Sequence, residues 1–145
     1  MRNRMGILLL AWGLLATGVH AAEAPGDVFK GKLFPPNIIL KHQEELGLSK
    51  EQFTAIKAAV VDVQANVAGH EWDIREAYVN IMSELDKSPV DETRVLKFVN
   101  AALLAENEVK KEQVAMLVRL RNLLTDEQVA YLHSKHAAKQ GGRDD

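Results

Sequence analysis

The stretch Leu124-Thr125-Asp126-Glu127-Gln128-Val129-Ala130-Tyr131-Leu132 decides the fold, because Leu48-Ser49-Lys50-Glu51-Gln52-Phe53-Thr54-Ala55-Ile56 has nearly the same form. Both read leucine, a hydroxyl residue, two polar positions and glutamine, then apolar residues at helical spacing. A Ser or Thr hydroxyl in this place accepts from the backbone N–H three residues on, and the glutamine there reaches back to the Ser or Thr N–H, forming a capping box. The leading Leu48 and Leu124 are placed for a hydrophobic staple against Phe53 and Val129. Taken singly, either copy is an ordinary helix start. Taken together, each flanked by helical pattern, they imply two matched corners.

Outward from Ser49 runs an apolar seam of Phe53, Ile56, Val60, Val63, Val67, Ile74, Tyr78, Ile81 and Leu85. Its steps alternate between three and four, the period of a helix. The pattern predicts one helix of about 35 residues, roughly 50 Å long at 1.5 Å per residue. Asp86-Lys87-Ser88-Pro89 breaks it, and Asp91 is placed to cap the next helix. That helix carries Val95 or Leu96, Val99, Leu103, a polar middle, then Val114, Leu117, Leu120 or Arg121, and Leu124. Two long helices joined by so short a loop fold back antiparallel. The expected fold is therefore all-α, a long antiparallel helical hairpin with two short flanking helices in residues 37–138. The first short helix spans residues 37–46, with Ile38, Ile39, His42 and Leu46 near one face and Gly47 as its C-terminal cap. Residues 22–36, with Pro25, Gly26, Gly31, Pro35 and Pro36, read as a flexible arm, and residues 139–145 as a disordered tail. Phe29, Leu33 and Phe34 on the arm are suited to folding over a groove or gripping a partner. A hairpin this thin encloses little core, so a homodimer or an exposed apolar surface is the expected consequence.

Residues 1–21 have the form of a cleavable signal peptide: Arg2 and Arg4, an apolar run from Gly6 to Val19, and small residues at Val19 and Ala21. Such a run is short of the roughly 20 residues that span a bilayer, so no membrane span is expected in the mature chain. The chain is expected in the periplasm. Cleavage lowers the 18 basic residues to 16 against 20 acidic ones, a net charge of about −4, which disfavours nucleic acid as a partner. No cysteine is present, so stability must come from apolar packing.

Leu124-Thr125-x-x-Gln128, with its variant Leu48-Ser49-x-x-Gln52, resembles the LTxxQ motif of the Spy/CpxP proteins. The resemblance covers the mature chain. It implies a periplasmic envelope-stress protein, built as a curved helical dimer. Some members hold unfolded clients on a concave face without ATP, and others are inhibitory adaptors of a sensor kinase. A related branch comprises periplasmic heavy-metal resistance and sensor proteins. This chain is acidic, whereas the best chaperone members are basic, which puts electrostatic capture of clients in doubt. Where nickel and cobalt sensors of that branch place Glu, His and Met, this chain has Val60, Met116 and Leu120, while His42 falls near a ligand position of the first helix.

Histidines are the natural ligands for zinc, copper or nickel in a chain without cysteine. His133 and His136 lie three apart on the last helix and are able to face one ion, or to be solvated at a helix end. His42 and His70 complete the candidates. His70 interrupts the apolar seam, and counting outward from the turn places Glu106 opposite it, so a His70–Glu106 pair across the hairpin is predicted, the plainer alternative being a seam-edge histidine. Catalysis is not expected. His70-Glu71-Trp72-Asp73-Ile74 begins like a zinc-protease motif but has Ile74 where the second histidine belongs. No glycine-rich phosphate loop or Ser–His–acid grouping is apparent. Phe53, Trp72, Tyr78 and Phe98 are the large aromatics of the long helices, suited to core packing or to a client-binding surface. The function expected is ATP-independent binding of unfolded periplasmic proteins or a sensor-kinase domain, with periplasmic metal binding as the alternative.

Overall fold

A computed structural model describes residues 29–141. The proposed signal peptide, residues 22–28 of the arm and residues 142–145 of the tail lie outside the described residues. Within them the chain forms five helices: α1 (Pro36–Lys41), α2 (Gln43–Leu46), α3 (Lys50–Leu85), α4 (Glu92–Asn122) and α5 (Asp126–Gly141). No strand occurs among the described residues. No helix there is long and apolar enough to cross a membrane.

Local chemistry sets the helix ends. Pro36 occupies the first turn of α1, where its missing N–H costs nothing. Gly47, at φ +58°, closes α2 in the left-handed conformation that favours glycine. Ser49 starts α3 with a complete capping box. Asp91 caps α4 by accepting from the Arg94 amide at 3.1 Å. The single short helix predicted for residues 37–46 is instead two, because the backbone leaves helical geometry at His42 (φ −106°, ψ 21°). There the imidazole meets Tyr131 edge-on, with centroids 5.8 Å apart, so the bend seats the ring against α5. The C-terminal boundary also moves: residues 139–141, expected in a disordered tail, continue α5.

Helices α3 and α4 pack along their length and run in opposite directions. Glu84 reaches Arg94 at 2.8 Å near the turn, Tyr78 reaches Glu106 at 3.3 Å, and Asp62 meets Arg119 at 2.9 Å further along. The buried positions of α3 follow a seven-residue repeat, Ile56, Val63, Ala77 and Glu84, with half-buried His70 in the intervening place. This corrects the predicted seam near the turn, where Tyr78 and Leu85 stand outside it, 51% and 46% exposed. On α4 the buried positions are Ala102, Ala105, Leu117 and Leu120, so Leu103 is outside the seam too.

The core gathers at one end. Ile39, Leu46, Ile56, Leu120, Leu124, Val129 and Leu132 form one cluster, joined by Phe34. Phe34 is only 4% exposed, so the part of the arm that carries it is packed rather than free. At the other end, near the turn, the fully buried positions are alanines and one glutamate, with Ile81, Phe98 and Val99 half-buried. Small seam residues bring two helices close but bury little apolar area.

Candidate functional site

Two features stand out: the meeting of the two corners, and an apolar flank that the pair of long helices leaves uncovered.

At the first corner the Gln52 amide of α3 receives the Ser49 N–H on Oε1 at 3.0 Å, while the Ser49 hydroxyl accepts from the Gln52 N–H at 3.0 Å. At the second, Gln128 Oε1 accepts from the Thr125 N–H at 2.9 Å, and the Thr125 hydroxyl accepts from the Gln128 N–H at 3.2 Å. The two glutamines also meet. Gln52 Nε2 donates to Gln128 Oε1 at 2.7 Å and to the Leu123 carbonyl at 2.8 Å. Gln128 Nε2 donates to the Leu46 carbonyl at 3.0 Å, with Gln52 Oε1 3.2 Å away. Each glutamine therefore caps the start of its own helix and satisfies a carbonyl at the helix end of the opposite corner, where backbone acceptors lack partners. Gln128 is buried, and its bond to the Leu46 carbonyl acts away from water. Leu124 and Val129 are buried together beneath the second corner, as a staple would place them. At the first corner Leu48 packs against the core, but Phe53 is 44% exposed.

The apolar flank follows from the seam. Tyr78 and Leu85 come one residue after buried Ala77 and Glu84, and Leu103 one residue after buried Ala102. Leu96 stands in the same relation to half-buried Val95. One residue on is a turn of about 100° around a helix, and in two antiparallel helices that rotation leads to the same side of the pair. Toward the core end this side holds a mainly apolar groove lined by Pro36, Val60, Val63, Val67 and Met116, with Gln64, Glu71 and Gln113 also in its lining. Around the turn Val79, Met82, Val90 and Leu104 add further exposed apolar surface. Trp72 is 68% exposed on the outer side of α3, with the Arg75 guanidinium 5.1 Å from its ring centre. Among the candidate client-binding aromatics, then, Phe53, Trp72 and Tyr78 are exposed, and Phe98 is half-buried. Sequence reasoning gave Leu96 only as an alternative seam position and missed Val79, Met82 and Leu104. Their signal was a position beside the seven-residue repeat, legible only once Ala77 and Ala102 are placed in the seam.

The opposite flank is polar. Asn66 Nδ2 donates to Glu112 Oε2 at 3.3 Å, and His70 Nδ1 lies 3.8 Å from Asp73 Oδ2. The predicted His70–Glu106 pair does not form: Glu106 accepts from the Tyr78 hydroxyl, and His70 turns to its own helix. Residues at matching distance from the turn need not point toward one another, since each side chain's azimuth on its helix decides its partner. His42 Nδ1 lies 3.8 Å from Glu45 Oε1. The His133 ring stands edge-on to Phe34, with centroids 5.3 Å apart, and the His136 ring faces Gly31. The four candidate histidines thus occupy three separate settings. No cluster of three or more His, Cys, Asp or Glu side chains suited to a metal ion occurs among the described residues.

Near the turn, buried Glu84 holds Lys87 Nζ and Arg94 Nη2 on Oε1, each at 2.8 Å. The Lys87 hydrogen bond, with Arg94 assisting, keeps the Glu84 carboxyl below its ordinary range although burial pushes the other way.

Compared with protein-family models, curated proteins and solved structures, the chain matches none significantly.

Proposed function

We propose that this chain is a periplasmic envelope-stress protein of the Spy/CpxP type, a dimeric helical hairpin that binds unfolded proteins or a sensor-kinase domain without ATP. The observation that carries the reading is the flank of Tyr78, Leu85, Leu96 and Leu103, each about half exposed, with the Val60–Val67–Met116 groove on the same side. Large apolar side chains left half exposed on one side of a helix pair, among polar neighbours, mark an interaction site. The flank runs along rigid helices, so it offers a long surface without a shaped pocket for a small ligand. Extended apolar segments of differing sequence fit such a surface, and exposed Met82 adds an adaptable contact. A chain with this fold needs neither nucleotide nor catalytic group to act: it shields apolar segments from each other by mass action. The matched LTxxQ-like corners, clasped through Gln52 and Gln128, give the family resemblance its structural support.

The test is suppression of aggregation of a reduced, unfolding model protein, followed by light scattering. Suppression at near-stoichiometric amounts without ATP is expected. Full aggregation at a several-fold molar excess of this chain would refute the reading.

A further inference from the structure

The arm is laid across α5. The Lys32 and Leu33 amides both donate to the Phe29 carbonyl at 2.9 Å, folding residues 29–33 into a tight turn. Gly31 holds that turn at φ +76°, and a Cβ on it would lie 2.9 Å from His136 Cδ2. The conformation and the close approach both require glycine. Next, Phe34 enters the core cluster that also holds Leu132 and Ile39, edge-on to His133. Pro36 follows at once and stands at the edge of the apolar groove with Val60, Val63, Val67 and Met116.

We infer that residues 29–34 are a strap, anchored on α5 by the ring of Phe34 and aligned by the Gly31–His136 contact, whose undocking uncovers apolar core surface next to the Pro36 end of the groove. In the strap only Phe34 is buried: Phe29, Lys30 and Lys32 are exposed, and Gly31 and Leu33 are half-buried. A segment with one deep anchor opens at far lower cost than the helices beneath it. Its departure uncovers the part of the core cluster that Phe34 covers, while Pro36 stays in the first turn of α1. The docked strap thus shortens the apolar surface, and the undocked strap lengthens it. This consequence for client capture rests on the function proposed above, whereas docking itself does not.

Trypsin cleavage after Lys30 and Lys32 in the full chain, followed by mass spectrometry, reads docking directly. Cleavage of a segment that opens and closes rapidly tracks its open population, so Phe34→Ala is expected to speed it about 30-fold or more. Gly31→Ala is expected to speed it as well, and His136→Ala in the same chain to recover part of the effect by removing the clash. Circular dichroism verifies that the helices persist in each variant. Should Phe34→Ala lose its helices, Gly31→Ala with and without His136→Ala decides. Equal cleavage rates in wild type, Phe34→Ala and Gly31→Ala overturn the strap. Capture of a reduced, unfolded model protein is then compared between wild type and Gly31→Ala. Stronger capture by Gly31→Ala supports the link to the groove. Faster cleavage with unchanged capture overturns that link while leaving the strap in place. No capture even by wild type refutes the proposed function instead.

Discussion

Replacing Gln128 by alanine removes three things at once. The Thr125 N–H loses its acceptor, the Leu46 carbonyl loses its donor, and Gln52 loses its amide partner. Net contributions of about 0.5–1.5 kcal/mol per hydrogen bond, with a buried carbonyl left unsatisfied, put the cost at about 2–4 kcal/mol. Gln52→Ala, at a less buried place, is expected to cost about 1–2 kcal/mol, the loss of a cap and of the bond to the Leu123 carbonyl. The amide–amide bond is common to both variants, so the double variant should fall short of the sum by about 1 kcal/mol. Gln128→Glu is the sharper probe. It keeps an acceptor for Thr125 but presents oxygen where the Leu46 carbonyl and Gln52 Oε1 need a donor, so it should destabilise about as much as alanine. Urea unfolding monitored by helical circular dichroism measures wild type and the four variants at matched protein concentration. Strict additivity, or a Gln128→Ala cost no greater than that of removing the exposed Asp91 cap, would show that the corners stand independently.

Gly69 lies in mid-helix with nothing within 4 Å of an added Cβ, so Gly69→Ala should raise stability by about 0.5–1 kcal/mol in the same assay. A loss instead would mean that another backbone approaches there. The depressed Glu84 carboxyl contributes stability that is present above its unfolded value, ordinarily 4.5, and lost as pH falls through the lower folded value. Thermal midpoints of wild type should therefore drop on acidification below that range more steeply than those of Glu84→Gln, and parallel curves would remove the carboxylate from the account. Leu96→Ser with Leu103→Ser should leave unfolding free energy within about 0.5 kcal/mol per site, because both side chains are half exposed, while weakening suppression of aggregation.

Much of the fold was legible in the sequence because it is written locally. Ser49–Gln52 and Thr125–Gln128 are three residues apart, and a capping box needs nothing further away. The long helices followed from their periodicity. What escaped was set by distance or by size. Nothing in the sequence says that Gln52 and Gln128 touch, since each looks complete as a cap of its own helix. Following the large side chains placed Tyr78 and Leu85 in the seam, although packing two helices closely favours the smaller Ala77 there. The bend at His42 depends on Tyr131 of α5, and the docking of Phe34 on His133, so neither is visible from its own neighbourhood. Among the candidate site residues the motif positions were the most legible. The apolar flank emerged only after the seam had been assigned correctly.

Photo-crosslinking from the two flanks puts the proposed binding surface to its most direct test. A photoreactive side chain at Leu103 on the apolar flank, and another at Gly69 on the polar side, would be irradiated with a radiolabelled unfolded protein. Client adducts from position 103 with few from position 69 are expected. Equal labelling from both positions, or adducts from position 69 alone, would contradict the assignment of the apolar flank as the surface that binds.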